Sequence, residues 1–180
     1  NTEVKYTITS KNIKDLTEEE IKDILGLSLN DKTVTYNGKE QSLTISGTIK
    51  EGISVNYNGT NVGTNVGTYP VTAILTGTGN YEGTTTLTAT LKINKALISL
   101  RAENKEITYG DSSKELTYTI TSGEKFGNDD LNVVLTREDA TNNNAGTYVI
   151  TITATNENYD ITLINGTYTI KKAIPNYTIP

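Results

Sequence analysis

The sequence predicts an all-β chain of two small antiparallel β-sandwiches in tandem, with one short helix near the N-terminus. Three observations predict it. The first is internal repetition: Gly67-Thr68-Tyr69 matches Gly146-Thr147-Tyr148 at an offset of 146 − 67 = 79. Asn80-Tyr81 matches Asn158-Tyr159 at 158 − 80 = 78, and Ile93-Asn94-Lys95-Ala96 matches Ile170-Lys171-Lys172-Ala173 at 170 − 93 = 77. Upstream, Val34-Thr35-Tyr36 matches Ile107-Thr108-Tyr109 at 107 − 34 = 73. Matches in the same order, with slowly drifting offsets, are what homologous units with a few loop insertions produce. The second observation is period-two alternation, which buries one face of a strand and wets the other. The third is a 34% apolar fraction, which suits thin cores of alternating strands.

The elements follow in order along the chain. Tyr6-Thr7-Ile8 echoes Tyr168-Thr169-Ile170 and reads as the closing strand of a preceding unit or an added strand of the first. A helix is expected over Leu16 to Gly26, where Thr17 and Glu20 form a capping box and Leu16 with Ile21 a hydrophobic staple. Ile21, Ile24 and Leu25 fall on one face, and Gly26 suits the C-terminal stop. Its glutamates read as a solvated face at the positive end of the helix dipole. Short strands are expected at Leu43-Thr44-Ile45, Ile53-Ser54-Val55 and Leu116-Thr117-Tyr118-Thr119-Ile120. Leu87, Ala89, Leu91 and Ile93 alternate with Thr86, Thr88, Thr90 and Lys92 in the last strand of the first repeat. In the second repeat Tyr148, Ile150, Ile152 and Ala154 share a face opposite mostly Thr, a β-branched residue compatible with water. Asn37-Gly38, Asn58-Gly59 and Asn165-Gly166 read as turns. The expected division is a leader at 1–24, repeats at 25–96 and 97–173, and a linker at 174–180 stiffened by Pro175 and Pro180. The chain holds no Met and reads as a slice from a longer array.

Composition excludes several function classes. A net charge of −5 has the wrong sign for gripping a phosphate backbone, so no nucleic-acid partner is expected. With no Cys there is neither a disulfide framework nor a thiolate metal site. With no His the commonest general base and transition-metal ligand are missing. No enzyme activity and no cofactor are expected. No run approaches the ~20 apolar residues of a membrane helix. A Thr- and Asn-rich chain without thiol or thioether suits an extracellular setting.

Acidic loops supply the candidate cation site. Calcium takes oxygen ligands from loops, which points to the acidic pairs Asp129-Asp130 and Glu138-Asp139, with Asp129 and Asp130 as the candidates. No D-x-D-x-D-G pattern surrounds them, and solvated loop acids is the preferred reading. Tyrosine supplies the candidate binding residues, since an exposed ring stacks on sugars and its hydroxyl donates a hydrogen bond. Tyr57, Tyr81 and Tyr159 stand at strand ends or turns and are the glycan-binding candidates, with a structural role the preferred reading for each. Tyr69 and Tyr148 each follow Gly-Thr at the start of an inward face, which matches a tyrosine corner that braces a sandwich. The N-x-[ST] matches at Asn58, Asn165 and Asn176 carry no function in this reading.

Residues 36–47 (YNGKEQSLTISG), 65–81 (NVGTYPVTAILTGTGNY) and 86–96 (TLTATLKINKA) resemble the immunoglobulin-like repeats of bacterial surface proteins. Residues 95–111 (KALISLRAENKEITYGD) and 115–131 (ELTYTITSGEKFGNDDL), with the Gly146-Thr147-Tyr148 strand, resemble the MBG-type repeats. The resemblance spans about residues 24–173. It implies immunoglobulin-like sandwiches in a secreted or wall-anchored adhesin of mainly Gram-positive bacteria. A β-grasp repeat is the alternative, because other mucus-binding surface repeats use it. The expected role is a non-catalytic spacer that displays a distal binding region. The alternative role is a module that binds host glycan or mucin through loops and exposed Tyr. Expected partners are the neighbouring repeats and, in the second reading, a host glycan; the chain is expected to be monomeric.

Overall fold

The computed structural model describes residues 6–175, which fall into two units on either side of the Asn94–Lys95 bond. The first contains β1 (Lys11–Asn12), α1 (Glu18–Leu25), β2 (Lys32–Thr35), β3 (Gln41–Ser42) and β4 (Ile53–Asn58). It continues with β5 (Val62–Gly63), β6 (Gly67–Gly77), β7 (Tyr81–Glu82) and β8 (Thr84–Asn94). Its main sheet has the order β2-β8-β6-β4, with β6 antiparallel to both neighbours and β2 parallel to β8. Alternation decides the faces as expected: Val71, Ala73 and Leu75 of β6 and Leu87, Leu91 and Ile93 of β8 are buried, while Thr86, Thr88 and Lys92 face water.

The helix belongs to this core. Thr17 Oγ1 accepts from Glu20 N (3.3 Å), and Glu20 Oε2 accepts from Thr17 N (2.8 Å), which closes the capping box. Gly26, at φ +72°, donates its N–H to the Lys22 carbonyl and ends the helix. Ile21 and Leu25 are buried with the sheet residues. Thr85, on the inner face of β8, donates Oγ1 to the Leu16 carbonyl and so holds the helix entry against that face. Residues 6–10 form no strand; Tyr6 and Ile8 are 85% and 90% exposed. The pairing strand is β1, which runs parallel to β7.

The second unit contains β9 (Ala96–Ala102), β10 (Lys105–Thr108), β11 (Tyr118–Gly123), β12 (Val134–Arg137), β13 (Gly146–Thr153), β14 (Tyr159–Ile164) and β15 (Gly166–Lys171). These make two sheets, β10-β15-β13-β12 and β11-β9-β14. Ile98 and Leu100 of β9, Ile150 and Ile152 of β13, and Tyr168 and Ile170 of β15 fill the core. The expected turn at Asn165-Gly166 is a strand continuation from one sheet to the other. Gly166 is buried there, and an added Cβ would lie 2.6 Å from the Ala102 carbonyl oxygen. The expected half-buried strand at Leu116–Ile120 is shifted: β11 runs from Tyr118 to Gly123 at the edge of its sheet and is exposed throughout.

The sheet β2-β8-β6-β4 corresponds to β10-β15-β13-β12, and one isolated bridge aligns the other layer. Ser28 pairs with Ser46 in the first unit and Arg101 with Thr119 in the second, where 101 − 28 and 119 − 46 both equal 73. Leu25, Leu27 and Leu29 are buried in place of Ile98, Leu100 and Ala102. In the first unit β1 therefore supplies the opening pairing of β9, and α1 is inserted before the chain reaches the position of Leu100. A helix on the sheet is what the β-grasp alternative requires of every repeat; among the described residues of the second unit there is none.

Candidate functional site

Tyrosine hydroxyls organise both units. Tyr69 Oη donates to the Asn65 carbonyl (2.8 Å) and Tyr148 Oη to the Asn144 carbonyl (2.9 Å), each four residues upstream. The ring faces are covered differently. Gly63 lies on the Tyr69 ring so closely that a Cβ there would sit 2.6 Å from it. On the second unit the Arg137 guanidinium covers the Tyr148 ring at 5.3 Å and the Tyr168 ring at 5.0 Å. Arg137 Nη2 also donates to the carbonyls of Ala140 (2.6 Å), Asn142 (2.9 Å) and Asp139 (3.4 Å), pinning the loop that follows β12.

The three binding candidates are placed apart in character. Tyr159 is 2% exposed, and its hydroxyl accepts from Phe126 N (2.8 Å) and donates to Asp129 Oδ2 (2.7 Å). A ring enclosed in this way offers no face to a sugar, so Tyr159 belongs to the core. Tyr57 is half-buried, and its hydroxyl accepts from Ile45 N (2.8 Å). Tyr81 is half-buried beside Gly52 and Gly77. Asp129 is engaged by Tyr159, while Asp130 Oδ1 accepts from Asn132 N (2.8 Å) in a local Asx turn. Among the described residues no three acidic groups come together as a metal site would need. The sequon residue Asn165 accepts from Ile152 N through Oδ1, while Asn176 lies outside the described residues.

Two features escaped the sequence reading. One is a cleft of about 610 Å³ in the second unit, lined by Tyr109, Asp111, Lys114, Asn143, Arg137 and Tyr168 among others. Tyr109 on its rim is 56% exposed, whereas the equivalent Tyr36 of the first unit is 4% exposed. The other is a cluster at the junction of β9 and β10. Lys105 Nζ meets Glu103 Oε2 (3.1 Å) and Thr117 Oγ1 (2.5 Å), and Thr117 Oγ1 donates to Glu103. The Thr117 hydroxyl and then Lys105 hold the Glu103 carboxyl below the ordinary carboxylate range.

The MBG domain family matches residues 26–97, and the MBG domain (YGX type) family matches residues 98–169. The two units are MBG domains in tandem. Tyr109-Gly110-Asp111 fits the YGX description in the second MBG domain; the corresponding residues of the first are Tyr36-Asn37-Gly38. Such domains are repeat modules of surface proteins. No curated protein matches the chain. Among solved structures it is similar to mouse clustered PcdhgC3 EC1-3 at 10% identity, over 84% of this chain and 69% of that one. The TM-score of 0.22 gives that likeness no weight.

Proposed function

We propose that this tandem is a non-catalytic spacer in the stalk of a bacterial surface adhesin, holding a distal binding region away from a Gram-positive wall. The observation that carries this reading is how the conspicuous side chains are used. Tyr69, Tyr148, Tyr159, Tyr168 and Arg137 all spend their polar atoms on the backbone or side chains of their own unit. Chemistry of this kind stiffens a module and leaves little for a ligand. Deleting the tandem from its parent protein is expected to leave the affinity of the isolated binding region unchanged and to lower adhesion of whole cells. Unchanged whole-cell adhesion would count against the spacer role.

A second reading has one observation behind it: Tyr109 stands exposed on the rim of a polar cleft with Asp111, Lys114 and Asn143. In that reading the second MBG domain binds host glycan or mucin there. Specific binding on a glycan array that disappears in Tyr109→Ala would favour it over the spacer; an empty array would remove it.

A further inference from the structure

The first and last stretches of the second MBG domain pair in parallel on both sides of the sheet-to-sheet junction, in one common register. Ala96 pairs with Tyr159 and Arg101 with Ile164, at 159 − 96 = 164 − 101 = 63. Beyond the sheet-to-sheet junction, Lys105 pairs with Tyr168 and Thr108 with Lys171, again at 168 − 105 = 171 − 108 = 63. At the junction itself Asn104 Oδ1 accepts from Thr167 N (2.9 Å), and 167 − 104 is also 63. The register never slips while both strands pass from one sheet to the other. Thirteen residues on each side run together for roughly 40 Å. The Glu103–Lys105–Thr117 cluster sits at the junction, and Lys171 Nζ meets Glu106 Oε1 (2.6 Å) across the far end.

Tension on such a unit enters at Ala96 and leaves at Lys171, the opposite ends of neighbouring parallel strands. Extension then requires the strands to slide past each other, which loads the ladder bonds together. In the first MBG domain the same ribbon is broken. β1 pairs with β7 at 81 − 11 = 70 and β2 with β8 at 91 − 32 = 59, with α1 in the gap.

From this geometry we propose that the second MBG domain is a shear-loaded tension member, and that the first yields at lower force. The proposal rests on the spacer reading for its purpose, though not for its measurement. The chain has no Cys, so paired cysteines place pulling handles without ambiguity. In the full chain, Lys95→Cys with Lys172→Cys loads the second ribbon end to end. Tyr109→Cys with Lys172→Cys pulls at one end of the same two strands and peels them. Lys11→Cys with Lys95→Cys loads the first unit. All four positions are exposed, and melting curves matching the parent verify that each variant folds. Single-molecule force spectroscopy should give an end-to-end unfolding force about threefold or more above the peeling force, because peeling breaks ladder bonds one at a time. The first unit should unfold below the second. Equal forces in the shear and peel geometries, or a first unit that outlasts the second, would overturn the proposal. A parent protein whose adhesion survives deletion of the tandem would instead refute the spacer reading and leave these forces as measured.

Discussion

Ile21→Ala tests whether α1 is core or leader. Ile21 is fully buried on the face of α1 that carries Leu25. The substitution removes three carbons, worth about 2.4 kcal/mol at ~0.8 kcal/mol per methylene. The cavity left behind brings such changes into a range of about 2–5 kcal/mol. The better helix propensity of Ala returns a few tenths of that. The expected net loss is about 2–4 kcal/mol, confined to the first MBG domain, or roughly 30- to 900-fold in its opening equilibrium. Hydrogen exchange resolved by peptide reads each unit separately. Amides of β6 and β8 should lose that much protection while those of β13 and β15 keep theirs. Ile8→Ala, at an exposed position outside any strand, is the control and should change neither. If Ile21→Ala shifts β6 and β8 by less than about threefold, the helix is not part of the core of the first domain.

Gly63→Ala should destabilise the first MBG domain by about 1–3 kcal/mol, since the new methyl meets the Tyr69 ring. Gly146→Ala, whose nearest neighbour would be 3.5 Å away, should melt nearly as the parent does. Arg137→Lys should lower the melting temperature of the second domain almost as far as Arg137→Ala, because an ammonium cannot cover two neighbouring rings and bond several carbonyls at once. Glu103 has a folded pKa below its unfolded one, so its contribution is complete above the ordinary carboxylate range and is lost as pH falls through the folded value. Acid titration followed by melting should show that loss in the parent and not in Glu103→Gln; identical acid profiles would refute it.

Much of the frame was legible because it rests on local pattern. The Thr alternation marks β8 and β13, and Thr17, Glu20 and Gly26 bound the helix. Partners are another matter, since alternation says which face of a strand is wet and nothing about its neighbour. The parallel ribbons were therefore hidden, although a signal for the crossing exists. Buried residues are even-numbered through Ala96, Ile98, Leu100 and Ala102 and odd at Ile107; they are odd at Tyr159 and even at Gly166, Tyr168 and Ile170. A strand that moves to the facing sheet must reverse its inward side, and that phase slip is written in the sequence. Asn165-Gly166 misled because turn chemistry also serves a tight sheet-to-sheet passage. Tyr159 takes the structural role preferred for it, but the Phe126–Asp129 loop that covers it lies 30 residues upstream and leaves no local mark. Nothing local marks Arg137: one Arg at a strand end has no pattern, and its role depends on two rings and a loop from elsewhere in the chain.

The ribbon of the second domain also sets when that domain can fold. Its two strands are 63 residues apart in sequence. Bringing ends that distant together costs about 3.7 kcal/mol in loop closure, before any ladder bond forms. The central hairpins have much shorter closures, so they form first and the terminal pair arrives last. A chain emerging N-terminus first cannot complete the domain until residues up to Lys171 are free. Completion of the second domain therefore waits on its last strand, so the contacts that close the ribbon are the last to form.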